Sequence, residues 1–219
     1  MAEAGLKARR RLQIFGLAAV AGAVAGVLAV YFMRSGDGNV VAGVDCSPAL
    51  AAAKRAAPLA KGEVAAFQAA TSADSLGSLA FKGADGADLT LASFAGKTVL
   101  VNLWATWCIP CRKEMTALDR LQASAGSDRF QVVAVNIDLN APDKARAFLA
   151  EIGVASLPFY SDPSMGVFTR LRGRGLALGL PTSLLIDGKG CRIGVVEGPA
   201  EWDGNDAKAL ITAAEGPGV

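Results

Sequence analysis

The sequence of 219 residues contains no histidine. Hydrolysis by a serine or cysteine with an imidazole base is therefore excluded, and His-ligated zinc, copper and haem sites go with it. Haem attachment through C-x-x-C-H also fails, because Arg112 stands where the histidine belongs. A large charge excess is missing too, the formal net charge being only +2. That small number covers an asymmetry. Residues 1–34 carry Lys7, Arg9, Arg10, Arg11 and Arg34 against the single acid Glu3, while beyond them 17 basic residues face 19 acidic ones. No strongly basic face follows, so nucleic acid is not an expected partner.

Cysteine is scarce, with four in the chain, but two of them stand close together in Trp107-Cys108-Ile109-Pro110-Cys111. An apolar run of strand length, Val99 to Trp107, leads into this motif, and a helical stretch from Arg112 to Gln122 follows it. Cys108 is thus placed near a helix start, where free backbone N–H groups and the positive end of the helix dipole stabilise a thiolate. The spacing lets the two thiols close into a disulfide and reopen. A redox dithiol is the reading; a purely structural disulfide and half of a zinc site are the alternatives. Zinc needs two further ligands, and only the scattered pair Cys46 and Cys191 could supply them. The chemistry of a dithiol calls for no cofactor or metal.

The 22 residues from Leu12 to Met33 carry no charge. As a helix they span about 33 Å, enough for a hydrocarbon core of roughly 30 Å. The basic cluster before them puts the N-terminus in the cytoplasm of a bacterial cell and everything after residue 34 in the periplasm, as a single-pass membrane protein. The rival is a cleaved signal peptide, since Ala19-Val20-Ala21 and Ala23-Val24-Ala25 have the small-residue pattern of cleavage sites. Both lie inside the apolar run, which favours an uncleaved anchor. Outside the cytoplasm an even number of cysteines points to pairing of Cys46 with Cys191 as a structural disulfide, with a second redox couple as the alternative.

Along the remaining chain, Ser35 to Asn39 is a spacer, and Ser47 to Ala57 reads as an Ala-rich helix with Ser47 as its cap and Pro48 in its first turn. A second short helix is expected over Lys61 to Ala70. Leu79–Phe81 and Leu89–Leu91 flank a turn, in which Asp85 and Asp88 serve the turn rather than calcium. Thr98 to Trp104 and Phe130 to Ile137 are apolar enough for buried strands, and the helix between them makes a βαβ unit with parallel pairing. Further helices are expected over Pro142–Ile152, Pro163–Leu171 and Asn205–Ala214, with a hairpin of Thr182–Ile186 and Arg192–Val196. Arg170, Arg172 and Arg174 read as a solvated loop. The fold class is α/β, a central mixed sheet with helices on both faces, preceded by the transmembrane helix.

Trp107-Cys108-Ile109-Pro110-Cys111, the Gly179-Leu180-Pro181-Thr182 segment before a strand, and this order of elements resemble the thioredoxin superfamily. Val101-Asn102-Leu103-Trp104-Ala105-Thr106-Trp107-Cys108 and Cys111-Arg112-Lys113-Glu114-Met115 are similar to its membrane-anchored TlpA branch, as are Gly198 to Trp202 and the pair Cys46 and Cys191. The resemblance covers roughly residues 75–215. With the apolar run and spacer before it, the expected organisation is a cytoplasmic N-terminus and anchor over 1–34, a linker over 35–45, a helical extension over 46–74 and a thioredoxin-like domain over 75–219.

By this resemblance Cys108 is the nucleophile and Cys111 the resolving thiol. Pro181 is the cis-proline beside them, and Trp107, Ile109, Pro110, Leu180 and Thr182 complete the surface for targets, whereas Trp104 belongs to the core. Asn102 departs from thioredoxins, which often bury an acid at this strand position; Glu114, one helical turn after Cys111, is the proton-handling group instead, a solvated helix residue being its alternative. Thr116 replaces a frequent proline. The implied activity is reduction of protein disulfides, recharged by a membrane electron donor. The implied targets are copper-site cysteines of cytochrome oxidase assembly factors or subunits, or alternatively apocytochrome c. A copper chaperone on the same scaffold needs wider cysteine spacing and a distant histidine, and a peroxidase needs a Pro-x-x-x-Thr-x-x-Cys pattern; the chain has neither.

Overall fold

The structure is a computed structural model that describes residues 43–216. The apolar run from Leu12 to Met33 lies outside the described residues, and among the described residues no helix is long and apolar enough to cross a membrane.

The described chain opens with α1 (Ser47–Ala56), whose Ala49, Ala52, Ala53 and Ala56 form one buried stripe. This spacing is that of a helix face, and the small side chains let the backbone lie close to its neighbours. Ser47 is the first helical residue rather than the cap. Cys46 holds the cap position, and the Asp45 carboxylate accepts the Ser47 N–H at 2.9 Å. The helix expected over 61–70 does not form. After a 3-10 turn at Ala57–Leu59, its place is taken by a second 3-10 turn at Gly62–Val64 and the short strand β1 (Gln68–Ala69). Gln68 and Ala69 pair with Val195 and Gly194 far along the chain, and a Cβ at Gly194 would lie 2.2 Å from the Phe67 ring. A glycine in the partner strand thus makes the room that turns this segment from helix to sheet edge.

The expected hairpin is β2 (Ala80–Lys82) and β3 (Asp88–Thr90), with Phe81 opposite Leu89. Its two acids are spent on the turn: Asp85 accepts the Ala87 N–H, and Asp88 pairs with Lys82 at 2.7 Å. Then follows β4 (Thr98–Trp104), buried at all seven positions, as its nearly continuous apolar character requires. Helix α2 (Ile109–Ala125) carries the chain to β5 (Phe130–Asn136), which pairs parallel with β4 from Thr98↔Phe130 to Trp104↔Asn136. After α3 (Pro142–Glu151) comes a strand of two residues, β6 (Tyr160–Ser161), that the sequence reading missed.

Helix α4 (Gly166–Gly173) starts three residues later than expected from Pro163. The buried Asp162 carboxylate accepts the N–H groups of Ser164 and Val167, so residues 162–165 form the approach to the helix. Arg170 and Arg172 lie on this helix, not on a loop, and Arg170 and Arg174 donate to the carbonyls of Ser78 and Ser75. The chain closes with β7 (Thr182–Ile186), β8 (Arg192–Glu197) and α5 (Asn205–Glu215).

All eight strands form one mixed sheet in the order β1-β8-β7-β4-β5-β6-β2-β3, with β4 parallel to β5 and antiparallel to β7. Strand β4 sits in the middle, and its end at Trp104 delivers the chain to the cysteine motif. Cys46, just before α1, is disulfide-bonded to Cys191 at the start of β8 with a Cα–Cα distance of 5.4 Å. The pairing expected from the sequence is therefore present, and both half-cystines are buried. It ties the start of α1 to the turn between β7 and β8, beside the sheet edge that β1 forms.

Candidate redox site

Cys108 and Cys111 form the second disulfide, with Cα atoms 5.3 Å apart. Helix α2 begins earlier than the sequence reading placed it, inside the motif. Cys108 is its N-cap, and Ile109, Pro110 and Cys111 make up the first turn. Pro110 suits this position, because its fixed φ matches the helix and its missing N–H is one of those that have no helical partner. The Cys111 N–H points to Cys108 Sγ at 3.3 Å, and the Arg112 N–H to the Cys108 carbonyl at 3.1 Å. One free N–H of the helix start is thus aimed at the sulfur that the sequence reading makes the nucleophile. Helix α2 runs unbroken through Thr116, so the missing proline leaves it continuous.

The turn before Cys108 is held from behind by an acid that the sequence reading did not single out. The Asp138 carboxylate, buried just beyond β5, accepts the Thr106 N–H at 3.0 and 3.2 Å and the Asn136 Nδ2–H at 2.9 Å. The only available signal was an acid directly after a buried strand. Trp104 is fully buried, as expected, with its ring 6.0 Å from Phe148. The Arg112 guanidinium lies 4.7 Å above the other ring, that of Phe148.

Across from the cysteines the Leu180–Pro181 peptide bond is cis. Pro181 is buried and Leu180 half-buried, and among the described residues the Leu180 N–H and C=O pair with no other backbone group outside the ladders. Thr182 does not belong to the accessible surface. Its side chain is buried and its hydroxyl donates to the Gly179 carbonyl at 2.7 Å, which fixes the loop from within. Trp107 and Ile109 are more than half exposed, and so are Leu139 and Leu178. The parallel register places Leu139, just past β5, at the dithiol end of the sheet, and Leu178 precedes β7, whose first residue pairs with Leu103. All four exposed large apolar residues among those described therefore lie at one end of the sheet. Leu139 and Leu178 were missed because isolated leucines in loops carry no periodic signal.

Glu114 is buried, not a solvated helix residue. Its Oε1 accepts from Asn102 Nδ2 at 2.7 Å and its Oε2 from the Ala200 N–H at 3.2 Å. Burial is the dominant influence and pushes the carboxyl up to about 7. The two donors oppose it, as does the Trp202 indole, which pulls weakly in the same direction without completing a hydrogen bond. A carboxyl titrating near 7 against an ordinary 4.5 holds its proton longer in the folded protein than in the unfolded one. The associated stability is present below about pH 4.5 and is lost as the pH rises through about 7, a change on the order of 3 kcal/mol. Urea unfolding of the oxidised protein should show this decline, and Glu114→Gln should flatten it. A decline of the same size in Glu114→Gln would assign it to another group.

A thioredoxin-like sheet whose middle strand ends in a helix-capping disulfide, with a cis X-Pro peptide opposite, defines a protein built for thiol–disulfide chemistry. Residues 56–211 match the Redoxin family, and the chain belongs to that family and to the thioredoxin superfamily. It is 36% identical over 110 residues to the thiol:disulfide interchange protein HelX of Rhodobacter capsulatus, covering 49% of this chain and 56% of HelX. It is 39% identical over 54 residues to the thiol-disulfide oxidoreductase ResA of Oceanobacillus iheyensis, covering 25% of this chain and 28% of that one. The chain thus spans about half the length, or less, of the curated relatives it matches. Among solved structures it is similar to one described as a thiol:disulfide interchange protein DsbE from Chlorobium tepidum. There the TM-score is 0.56 at 33% identity, covering 66% of this chain and 97% of that one.

Proposed function

We propose that the chain is a protein-disulfide reductase, anchored in the bacterial cytoplasmic membrane by residues 12–33 with its redox domain in the periplasm. The observation that carries the activity is the Cys108–Cys111 disulfide capping α2, with a backbone N–H aimed at Cys108 Sγ and exposed Trp107 and Ile109 on either side. The membrane and compartment assignments rest on the apolar run and on the basic residues before it.

In the reduced protein the Cys108 thiolate attacks one sulfur of a target disulfide. The target S–S bond breaks, a Cys108–target bond forms, and the second target sulfur leaves as a thiolate and is protonated. Cys111 then gives up its proton, which Glu114 takes one helical turn away, and attacks Cys108 Sγ. The mixed disulfide breaks, the target leaves with two thiols, and Cys108–Cys111 is oxidised again. The target has gained two electrons, and a dithiol donor in the membrane returns the pair to the enzyme. Trp107, Ile109, Pro110 and the free Leu180 backbone receive an extended target segment around its cysteine, with Pro181 shaping that edge.

The targets are disulfide-bonded copper-site cysteines of cytochrome oxidase assembly factors or subunits, with the disulfide of apocytochrome c as the alternative. The names HelX and ResA support the disulfide exchange itself. Reduction of insulin disulfides by the reduced protein, followed with and without Cu(I), tests the class of activity. A reductase turns over and loses activity only when copper occupies its thiols. Tight copper binding with no insulin reduction would instead make the protein a metal carrier.

A further inference from the structure

Asn102 sits in the middle of β4 and is fully buried, yet its amide is used from one side only. Its Nδ2 donates to Glu114 Oε1 at 2.7 Å and to Ser183 Oγ at 2.9 Å, while its Oδ1 has no hydrogen-bond partner. Buried amide oxygens are nearly always satisfied, so this one asks for an explanation. We infer that Asn102 is the positioning residue for Glu114 in both of its protonation states, its amide donating to the carboxylate and, turned over, accepting from the acid.

The chemistry of the three side chains requires such a partner. As a carboxylate, Glu114 accepts from Asn102 and from the Ala200 N–H, which is the arrangement seen. Once protonated, it carries an O–H that needs an acceptor, and both groups now facing its oxygens are donors. A half-turn of the Asn102 amide brings Oδ1 to the place of Nδ2, and the 2.7 Å separation suits an O–H···O bond. Ser183 follows by rotating its hydroxyl from acceptor to donor. The turn exchanges the two bonds at Nδ2 for two at Oδ1 and leaves the Nδ2 hydrogens on the side where Oδ1 now has no partner. An aspartate at 102 could not do this, since two carboxyls at this distance hold one proton between them. An apolar residue would leave the carboxylate with the Ala200 N–H alone.

Among the described residues no charged side chain acts on the carboxyl. The groups facing it are Asn102 from β4, with Ser183 of β7 behind it, and Ala200 and Trp202 from the segment before α5. On its own helix one turn back stands Cys111, which does not titrate while disulfide-bonded. The inference rests on the reading of Glu114 as the proton acceptor only for its consequence, that Asn102 sets the pH window in which Cys111 is released. The amide turn itself is independent of that reading.

The test uses the oxidised full-length protein, in which neither active-site cysteine titrates. Carbon NMR follows the Glu114 carboxyl, and nitrogen–proton spectra follow the Asn102 side-chain amide. The Asn102 signals are expected to shift with the same midpoint as Glu114. Asn102→Leu is expected to weaken the acidity of Glu114 by about tenfold or more, the effect of losing a hydrogen bond to a charged group, and Asn102→Asp to weaken it further. Ser183→Ala is expected to keep the Glu114 midpoint while broadening the Asn102 signals. Amide signals that stay fixed through the Glu114 titration would overturn the inference, and that measurement needs no variant to fold. An unchanged Glu114 midpoint in folded Asn102→Leu would overturn it too. If the coupling is seen but the pH profile of thiol exchange by Cys111 is the same in Asn102→Leu, the proton-acceptor role of Glu114 fails and the positioning of its carboxyl stands.

Discussion

Cys111→Ser is expected to accumulate the protein as mixed disulfides with its targets, linked through Cys108, while turnover falls by on the order of a thousandfold or more. The reason lies in the order of the two sulfurs on α2. Cys108 caps the helix beside exposed Trp107 and Ile109 and, though largely buried, keeps 6% of its surface accessible, whereas Cys111 in the first turn keeps none. A target can reach only the first sulfur, and only the second can release it. Cys108→Ser should lose turnover to the same degree and trap nothing. Non-reducing electrophoresis and mass spectrometry of cells expressing the Cys111→Ser protein would show the adducts and name the target. Adducts through Cys111 in the Cys108→Ser protein would reverse the assignment of the two thiols.

The second large effect concerns Cys46 and Cys191. Their disulfide joins residues 145 positions apart, and a loop of that length restricts the unfolded chain by about 5 kcal/mol in the chain-entropy account. Replacing both by alanine should therefore lower the unfolding free energy by several kcal/mol in urea titrations. It should also raise hydrogen exchange in β1, which is only Gln68 and Ala69 and is held at the sheet edge through β8. Disulfide exchange at Cys108 should persist in protein that remains folded. A loss below about 1 kcal/mol would mean that packing of the α1 alanines against the domain already fixes this segment, and that the entropic argument of loop closure does not apply here.

The central part of the fold was legible because its signals are local and strong. Thr98–Trp104 is apolar at nearly every position, and the structure buries all of it. The cysteine spacing, the Pro181 segment and the hairpin of Thr182–Ile186 and Arg192–Val196 likewise carry their meaning within a few residues. What could not be read depends on distant partners. Residues 61–70 have the composition of a helix, yet they form a 3-10 turn and then the sheet edge Gln68–Ala69, where Gly194 leaves space for Phe67. Tyr160–Ser161 is too short to show a period, and it pairs with Val135 and Asn136 of a strand already in place.

The site divides along the same line. Trp107 and the two cysteines announce themselves, but the burial of Glu114 is created by Asn102, twelve residues before it, and by Ala200, eighty-six after it. Asn102 looked like a departure from the pattern of a buried acid at that strand position. In the structure it is the direct partner of the acid that stands in on α2. Thr182 stands beside Pro181, but it is the first residue of β7, a strand flanked by β4 and β8 and buried at all five positions, so it is covered rather than part of the target surface.

The reducing direction of the chemistry is the central claim, and the reduction potential of the Cys108–Cys111 pair tests it most directly. Equilibration of the protein with glutathione or dithiothreitol buffers at pH 7, read by thiol trapping, gives the value. A protein that supplies electrons to target disulfides is expected near the thioredoxin range, about −270 mV, and a value near −120 mV, typical of a strong periplasmic oxidant, would contradict it.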